Sequence, residues 1–440
     1  MIEAMKMWIQ RWEVIISQIE QQGANVHPLA VQPGAAEEEI KEVEERIGIP
    51  LPSVFRELLK QGASEVGVYW SLPDEAMLPE ELKEKPSGDF GWSLRGLDWP
   101  YFGGDEDDPD ERCYLQFYTA GNGDALLIKI DDGKADPAVW YWGHEDGEFD
   151  LLAPSFTEYV ERVTRLGCIG TDCGQHRPFL REDGLDLRCS NAQVWLKWLD
   201  RFLTLTLEQA SANLEMLLEY ASMHGADDPD IQDAFARFDR SEVCSHLISK
   251  LEQTLRADHQ QAWGEIIVRV CASEAVNWVR SLWHGDETFA AQTRDYLTAH
   301  CLPEEEGLTL VIRDIESREE KGSIYPYTAL HRLRHFRNRS VISWMKPYVA
   351  FPIDGWDLLL AESQPSAEDL LDWLSGSDAE RQTAVHAICK MMKQQTVPTT
   401  LVHVQQWEQL LSYWRDKEIL RNNKRVFDEA ISGLCSWNAS

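Results

Sequence analysis

No stretch of this 440-residue chain approaches the ~18 consecutive apolar residues that a membrane-spanning helix needs, so none is expected. A secretory leader is not expected either: one lysine precedes Trp8 and no apolar run follows it. Nine cysteines, an odd number scattered through a long chain, suit reduced thiols in a cytoplasm rather than a disulfide framework. Catalytic signatures are missing as well: there is no Gly-x-Gly-x-x-Gly, phosphate loop, Gly-x-Ser-x-Gly or His-Glu-x-x-His. Positive charge is scarce. Against 75 acidic side chains stand 42 basic ones, a formal net of -33. Such a field repels nucleic acid and anionic membranes and steers basic partners toward the surface, although solubility alone would also account for it.

Apolar residues are not lacking. They make up 43% of the chain, including eighteen tryptophans, enough for packed interiors and for two or three domains. Residues 1–175 carry 35 acidic and 14 basic side chains, and residues 176–440 carry 40 and 28. The acidity is therefore concentrated at the front. The expected organisation is a domain over 1–175, a linker over 176–190 and a helical domain over 191–440, the linker placed on glycines, Pro178 and charges.

Within the first domain, residues 2–20 read as an amphipathic helix with Trp8, Trp12, Ile15, Ile16 and Ile19 on one side. Ile40, Val43 and Ile47 form a second apolar stripe, closed by Gly48. Leu51-Pro52 then starts a third helix carrying Phe55, Leu58 and Leu59. Gly23 through Gly34 reads as the connector behind the first helix, Val66 to Leu72 as a strand, and Pro73 to Pro100 as loop-rich. Strand-like runs follow at Tyr114–Thr119, Ala125–Ile130 and Ala138–Trp142, the first two joined by Gly121-Asn122-Gly123-Asp124. Ser155 and Glu158 form a capping box for a helix through Val163.

This order of elements resembles the SUKH superfamily, which contains cell-wall-linked fungal regulators and many bacterial immunity proteins. The matching points are Ile40 with Glu44, Gly48, Leu51-Pro52, Phe55 and Leu58, then Asn122-Gly123-Asp124, Pro137, Val139, His144 and Ser155-Phe156. They span roughly residues 30 to 170. The chain departs at Gln61-Gly62-Ala63-Ser64, where such domains often carry a polar, glycine-rich segment, so contacts made there by relatives are not carried over. The resemblance implies an α+β domain, a twisted antiparallel sheet flanked by helices. It also implies a cytoplasmic immunity-type protein that neutralises a cognate polymorphic toxin by stoichiometric binding. Enzymatic activity, cofactor, nucleic acid and membrane are not expected. An alternative is a non-enzymatic scaffold binding separate endogenous partners through its two domains.

On that reading an acidic face with aromatic anchors meets a basic toxin domain. The candidate anchors are Trp70, Trp92 and Trp99, with Asp105, Glu106, Asp107 and Asp108 as steering charges and Asn122, Asp124, His144 and Glu145 as second choices. Each tryptophan alone is more simply a core residue. Residues 103–111 lack the ligand spacing of an EF-hand and read as a solvated acidic loop. Cys168, Cys173 and His176 are spaced poorly for zinc.

Beyond residue 190 the period is helical almost throughout. Thr206 to Gln209 is a capping box, Asp228-Pro229 starts a helix, and Ser366–Asp369 and Ser377–Glu380 start two more, the second by a full box. Tryptophans beside aliphatic residues at Trp195, Trp278, Trp344 and Trp373 suggest stacked helix pairs of HEAT-like character. His331-Arg-Leu-Arg-His-Phe-Arg-Asn-Arg339 is the one strongly basic run. It is expected to dock on the acidic domain or, alternatively, to grip an anion.

Overall fold

The computed structural model describes residues 2–102, 113–130, 133–170, 174–284, 289–318, 324–336, 338–350, 355–394 and 404–437. The chain divides into two compact units, Met1–Ala234 and Phe235–Ser440. The first carries 46 acidic and 19 basic residues and the second 29 and 23, net charges of -27 and -6.

The first unit opens with helix α1, Ile2–Gln21, whose Trp8, Trp12, Ile16 and Ile19 are buried while Ile15 is half-covered. Strands β1, Asn25–Val26, and β2, Ala30–Pro33, precede helices α2, Glu37–Ile47, and α3, Ser53–Gln61. Gly48 closes α2 in the left-handed region, at φ 78°. The joint between α2 and α3 is clamped: Glu44 accepts from the Leu51 N–H and from Arg56 Nε, both at 3.0 Å. Arg56 and Lys60 also hold Glu37, and their hydrogen bonds lower its carboxyl to about 2.

Strand β3, Ala63–Ser71, is the centre of the first sheet, with β1 and β2 antiparallel to it on one side. On the other side β4, Ser87–Ser93, pairs with it over seven residues. That strand lies inside the segment expected to be loop. Its glycines hid it, because they lower strand propensity, yet the close packing needs them. A Cβ at Gly91 would stand 2.1 Å from the Val66 carbonyl oxygen, and one at Gly88 the same distance from the Trp70 indole.

The second sheet is a meander of β5, Tyr114–Thr119, β6, Ala125–Lys129, β7, Val139–Trp142, and β8, Phe149–Ala153, in that order and all antiparallel. Helix α4, Phe156–Arg165, follows, capped by Ser155, which accepts from the Glu158 N–H at 3.1 Å. The Glu158 carboxylate turns to Arg162 instead, so the expected box is one-sided. Trp12 meets Phe90 and Trp92 edge-on at 5.5 and 6.0 Å, and Phe156 meets Phe55 and Phe117 at 4.8 and 5.2 Å. These rings are the core between the sheets and α1, α3 and α4.

The expected linker at 176–190 falls inside this unit. Phe179 and Leu185 are buried, and strands β9, Leu180–Arg181, and β10, Gly184–Leu185, form a small hairpin. Helix α5, Ser190–Thr204, then sends Trp195 into the core, stacked 6.4 Å from Trp70 with its Nε1 bonded to the Leu166 carbonyl at 2.8 Å. Helices α6, Leu207–Ala210, α7, Leu214–His224, and α8, Pro229–Phe235, follow. The Thr206 box caps only the single turn of α6, and Asn213 caps α7.

The second unit is helical: α9 Arg240–Gln253, α10 Ala257–Ser281, α11 Ala291–Cys301, α12 Glu304–Arg318, α13 Pro326–Leu333, α14 Arg339–Met345, α15 Trp356–Glu362, α16 Ala367–Ser375, α17 Asp378–Lys393, α18 Val404–Lys417 and α19 Arg421–Trp437. Successive helices pack on their neighbours around Val311, Leu333, Trp356, Trp373, Ile388 and Trp407. Of the four tryptophans that suggested helix pairs, expected near helix starts, Trp278, Trp344 and Trp373 stand late in their helices. Trp278 donates to Glu252 of α9 at 3.0 Å and Trp344 to Glu316 of α12 at 2.9 Å. The reciprocal capping box is at Ser366 and Asp369; Ser377 caps alone, because Glu380 faces Lys346 at 3.7 Å.

Candidate protein-binding face

The meander has two unlike faces. Period-two alternation sends Leu115, Ile128, Val139 and Leu152 inward, where all are buried. On the outer face the register sets Tyr114 beside Lys129, Leu127 beside Trp140, Trp140 beside Leu151, and Trp142 beside Phe149. Tyr114, Trp140 and Trp142 are half-buried, and Phe149 is 39% exposed. Phe102 completes the patch, 5.0 Å from Trp142 and 5.2 Å from Phe149, and Tyr114 lies 5.5 Å from Phe149. Its neighbour Tyr101 is 66% exposed. The indole N–H of Trp140 has no hydrogen-bond partner among the described residues.

Asp105, Glu106, Asp107 and Asp108 lie outside the described residues. In sequence they fall between Phe102 and Tyr114, two rings of this patch.

Two of the candidate anchors are elsewhere. Trp70 and Trp92 are buried, their indoles bonded to the carbonyls of Gly167 and Ala63 at 3.1 and 3.0 Å. As core rings they are corrected from partner contacts. Trp99 is half-buried and ties its Nε1 to the Ile47 carbonyl at 3.1 Å. The outer-face rings were missed: alternation along Trp140-Tyr141-Trp142 puts Trp140 and Trp142 on one face, and packing decides which face is covered.

The second-choice residues do come together, at the end of the meander where β5 turns into β6. Asp124 is buried and accepts from Asn122 Nδ2 at 2.6 Å, the His144 N–H at 3.0 Å, His144 Nδ1 at 2.9 Å and the Tyr141 hydroxyl. Burial alone would raise this carboxyl. The bonds from Tyr141, His144 and Asn122 outweigh it and hold the carboxyl at about 2. Tyr141 is pushed the other way, by burial and by its hydrogen bond to the Asp124 carboxylate. Asp124 is thus an internal hub. His144, oriented by it, and the exposed Glu145, 3.9 Å from His144 Nε2, present the surface of the turn.

Beneath this turn His176 is buried, 4.4 Å from the Tyr141 ring, with Nε2 on Asp150 at 3.1 Å. Burial lowers its pKa against the pull of Asp150. Arg177 links Asp150, Asp146 and Glu148 at 3.1, 3.2 and 2.7 Å. For the zinc reading, Cys173 lies outside the described residues and Cys168 is a buried thiol pushed up by burial. Among the described residues no group of three ligand side chains could hold a metal ion.

Two arginines of the basic run are paired inside the second unit. Arg332 is buried, bonded to Asp295 and, at 2.8 Å, to Asp314, which also takes Arg294 at 2.9 Å. Arg339 holds Asp369 at 2.8 Å, and Arg337 lies outside the described residues. Those carboxylates, rather than the acidic domain, are what Arg332 and Arg339 dock on.

The first unit thus carries antiparallel sheets flanked by helices, and the second is helical. Residues 34–162 match the SMI1 / KNR4 family (SUKH-1). No curated protein and no solved structure matches the chain. No helix among the described residues is long and apolar enough to cross a membrane.

Proposed function

We propose that this is a cytoplasmic immunity-type protein that neutralises a cognate, basic polymorphic toxin domain by stoichiometric binding through the outer face of the second sheet. The observation that carries the reading is the cluster of partly exposed rings, Tyr114, Trp140, Trp142, Phe149 and Phe102, on a unit whose net charge is -27. Asp105, Glu106, Asp107 and Asp108 supply the steering field, and the rings supply the area that must lose water for affinity. His144 and Glu145 flank the same domain edge and extend the polar rim. The protein acts by occupying the toxin, without a chemical step of its own.

The test is affinity capture from native lysate with the full chain across a salt gradient. A single basic protein, released by salt and lost on Trp142→Ala with Phe149→Ala, supports the reading. Those two changes are expected to weaken capture by about a hundredfold, as for a pair of central aromatic contacts. Recovery of several unrelated partners unaffected by them would favour the scaffold reading, which the contrast between net charges of -27 and -6 in the two units also suits.

A further inference from the structure

The turn joining α18 to α19 holds two aliphatic side chains in water. Ile419 is 90% exposed and Leu420 62%, and Tyr413, one turn back along α18, is 50% exposed. Single exposed apolar residues are ordinary, but this pair is held in place. Glu418 Oε1 accepts the backbone N–H groups of Ile419 and Leu420 at 2.8 and 2.9 Å, and its other oxygen takes Asn423 at 3.2 Å and Gln382 at 3.4 Å.

Charge around the tip is the second observation. Lys417, Arg421, Lys424 and Arg425 surround it. Among the described residues Arg421, Lys424 and Arg425 have no carboxylate partner, and the Lys417 ammonium lies 4.2 Å from the centre of the Tyr413 ring. Four nearby acids are paired, Asp428 and Asp416 with Arg415 at 2.8 and 3.3 Å, Glu429 with Lys393 at 3.0 Å and Asp378 with Arg381 at 2.6 Å, which leaves the Glu418 carboxylate against four cations at the tip. Moreover, Arg421, Lys424 and Arg425 stand in the first turns of α19, where the helix dipole disfavours cations. They cost the helix stability there, and an external anion would explain their place.

We propose that this tip is a peripheral membrane-docking element for an anionic bilayer. Ile419 and Leu420 enter the boundary between headgroups and acyl chains, Tyr413 sits at headgroup level, and Lys417, Arg421, Lys424 and Arg425 contact the anionic headgroups. The repulsion expected from the whole chain does not forbid it. The second unit is only at -6, and charges farther than ~8 Å are screened in physiological salt. With two aliphatic side chains and four cations the attachment is reversible.

The experiment is flotation of the full chain with phosphatidylcholine vesicles containing phosphatidylserine, against phosphatidylcholine alone. The protein should float with the first only, and less as salt is added. The triple change Arg421→Gln, Lys424→Gln, Arg425→Gln should lower partitioning about a hundredfold. Ile419→Ser with Leu420→Ser should lower it too, with helix content by circular dichroism unchanged. Absence of flotation on the serine lipid, equal flotation on both vesicles, or variants that float like the native chain would overturn the proposal. So would loss, in these variants, of capture of an acidic protein by a chain that does not float, which would make the tip a protein contact.

Discussion

Asp124 shows how much one residue organises. Four donors converge on its carboxylate, and a carboxyl held at about 2 folded against an ordinary value near 3.8 stabilises the charged, folded form. The stability it contributes is complete above the unfolded value and is lost as the pH falls through about 4 toward 2, roughly 2 kcal/mol by linkage. Asp124→Ala should therefore destabilise the first unit by about 3 kcal/mol at neutral pH, since it strands the Tyr141 hydroxyl and the His144 N–H. Urea melts followed from neutral to acid pH check both statements: the native chain should lose stability across that window and the variant should not lose this share of it.

At the scale of elements the informative case is α13 with its neighbours α11 and α12. Arg332 reaches Asp295 on α11 and Asp314 on α12, and the charged guanidinium is kept by those bonds although burial opposes it. Removing it leaves the Asp295 carboxylate buried without its ion-pair partner, while Asp314 keeps Arg294 and Arg318. Arg332→Ala is expected to cost about 3–5 kcal/mol, and replacing Arg332 by Met together with Asp295 by Leu to restore most of the loss. Chemical unfolding of the second unit's helices, read at 222 nm as an amide signal, distinguishes the two outcomes; a mild effect of the single change would show that water reaches the site. The same lesson applies to β4. Its sequence, Ser-Gly-Asp-Phe-Gly-Trp-Ser, reads as a turn-rich loop, and pairing with β3 makes it a strand because only glycine fits against Val66 and Trp70.

On the scale of the whole molecule, the boundary between units matters for any fragment. Trp195 stacks on Trp70, Trp198 donates to the Met77 carbonyl at 3.1 Å, and the Met77 N–H donates to the Ser222 carbonyl at 2.8 Å. Residues 176–234 thus complete the first unit's core. A fragment of residues 1–234 should unfold cooperatively, and one of residues 1–175 should expose Trp70, lose several kcal/mol and aggregate. Tryptophan fluorescence and size-exclusion chromatography on the two fragments test this; equal behaviour would place the core's edge at 175 after all.

By itself the sequence determined the local chemistry: the stripe of Ile40, Val43 and Ile47, the caps at Gly48, Ser155 and Ser366, and the Asn122–Asp124 turn. It also determined the match to the SMI1 / KNR4 family and the helical character of the second half. These features depend on neighbours within a few residues, where periodicity and capping are legible. Tertiary structure alone decided which rings face out. Trp70, Trp92 and Trp142 are the same residue type in similar surroundings of sequence, yet two fill the space between sheets and helices and one lies on the outer face. Which side of a strand is covered depends on what packs there from far along the chain, as Phe156 does on Trp92 and Trp195 on Trp70. Long-range packing likewise turned Arg332 of the basic run inward, because the carboxylates that neutralise it come from two other helices.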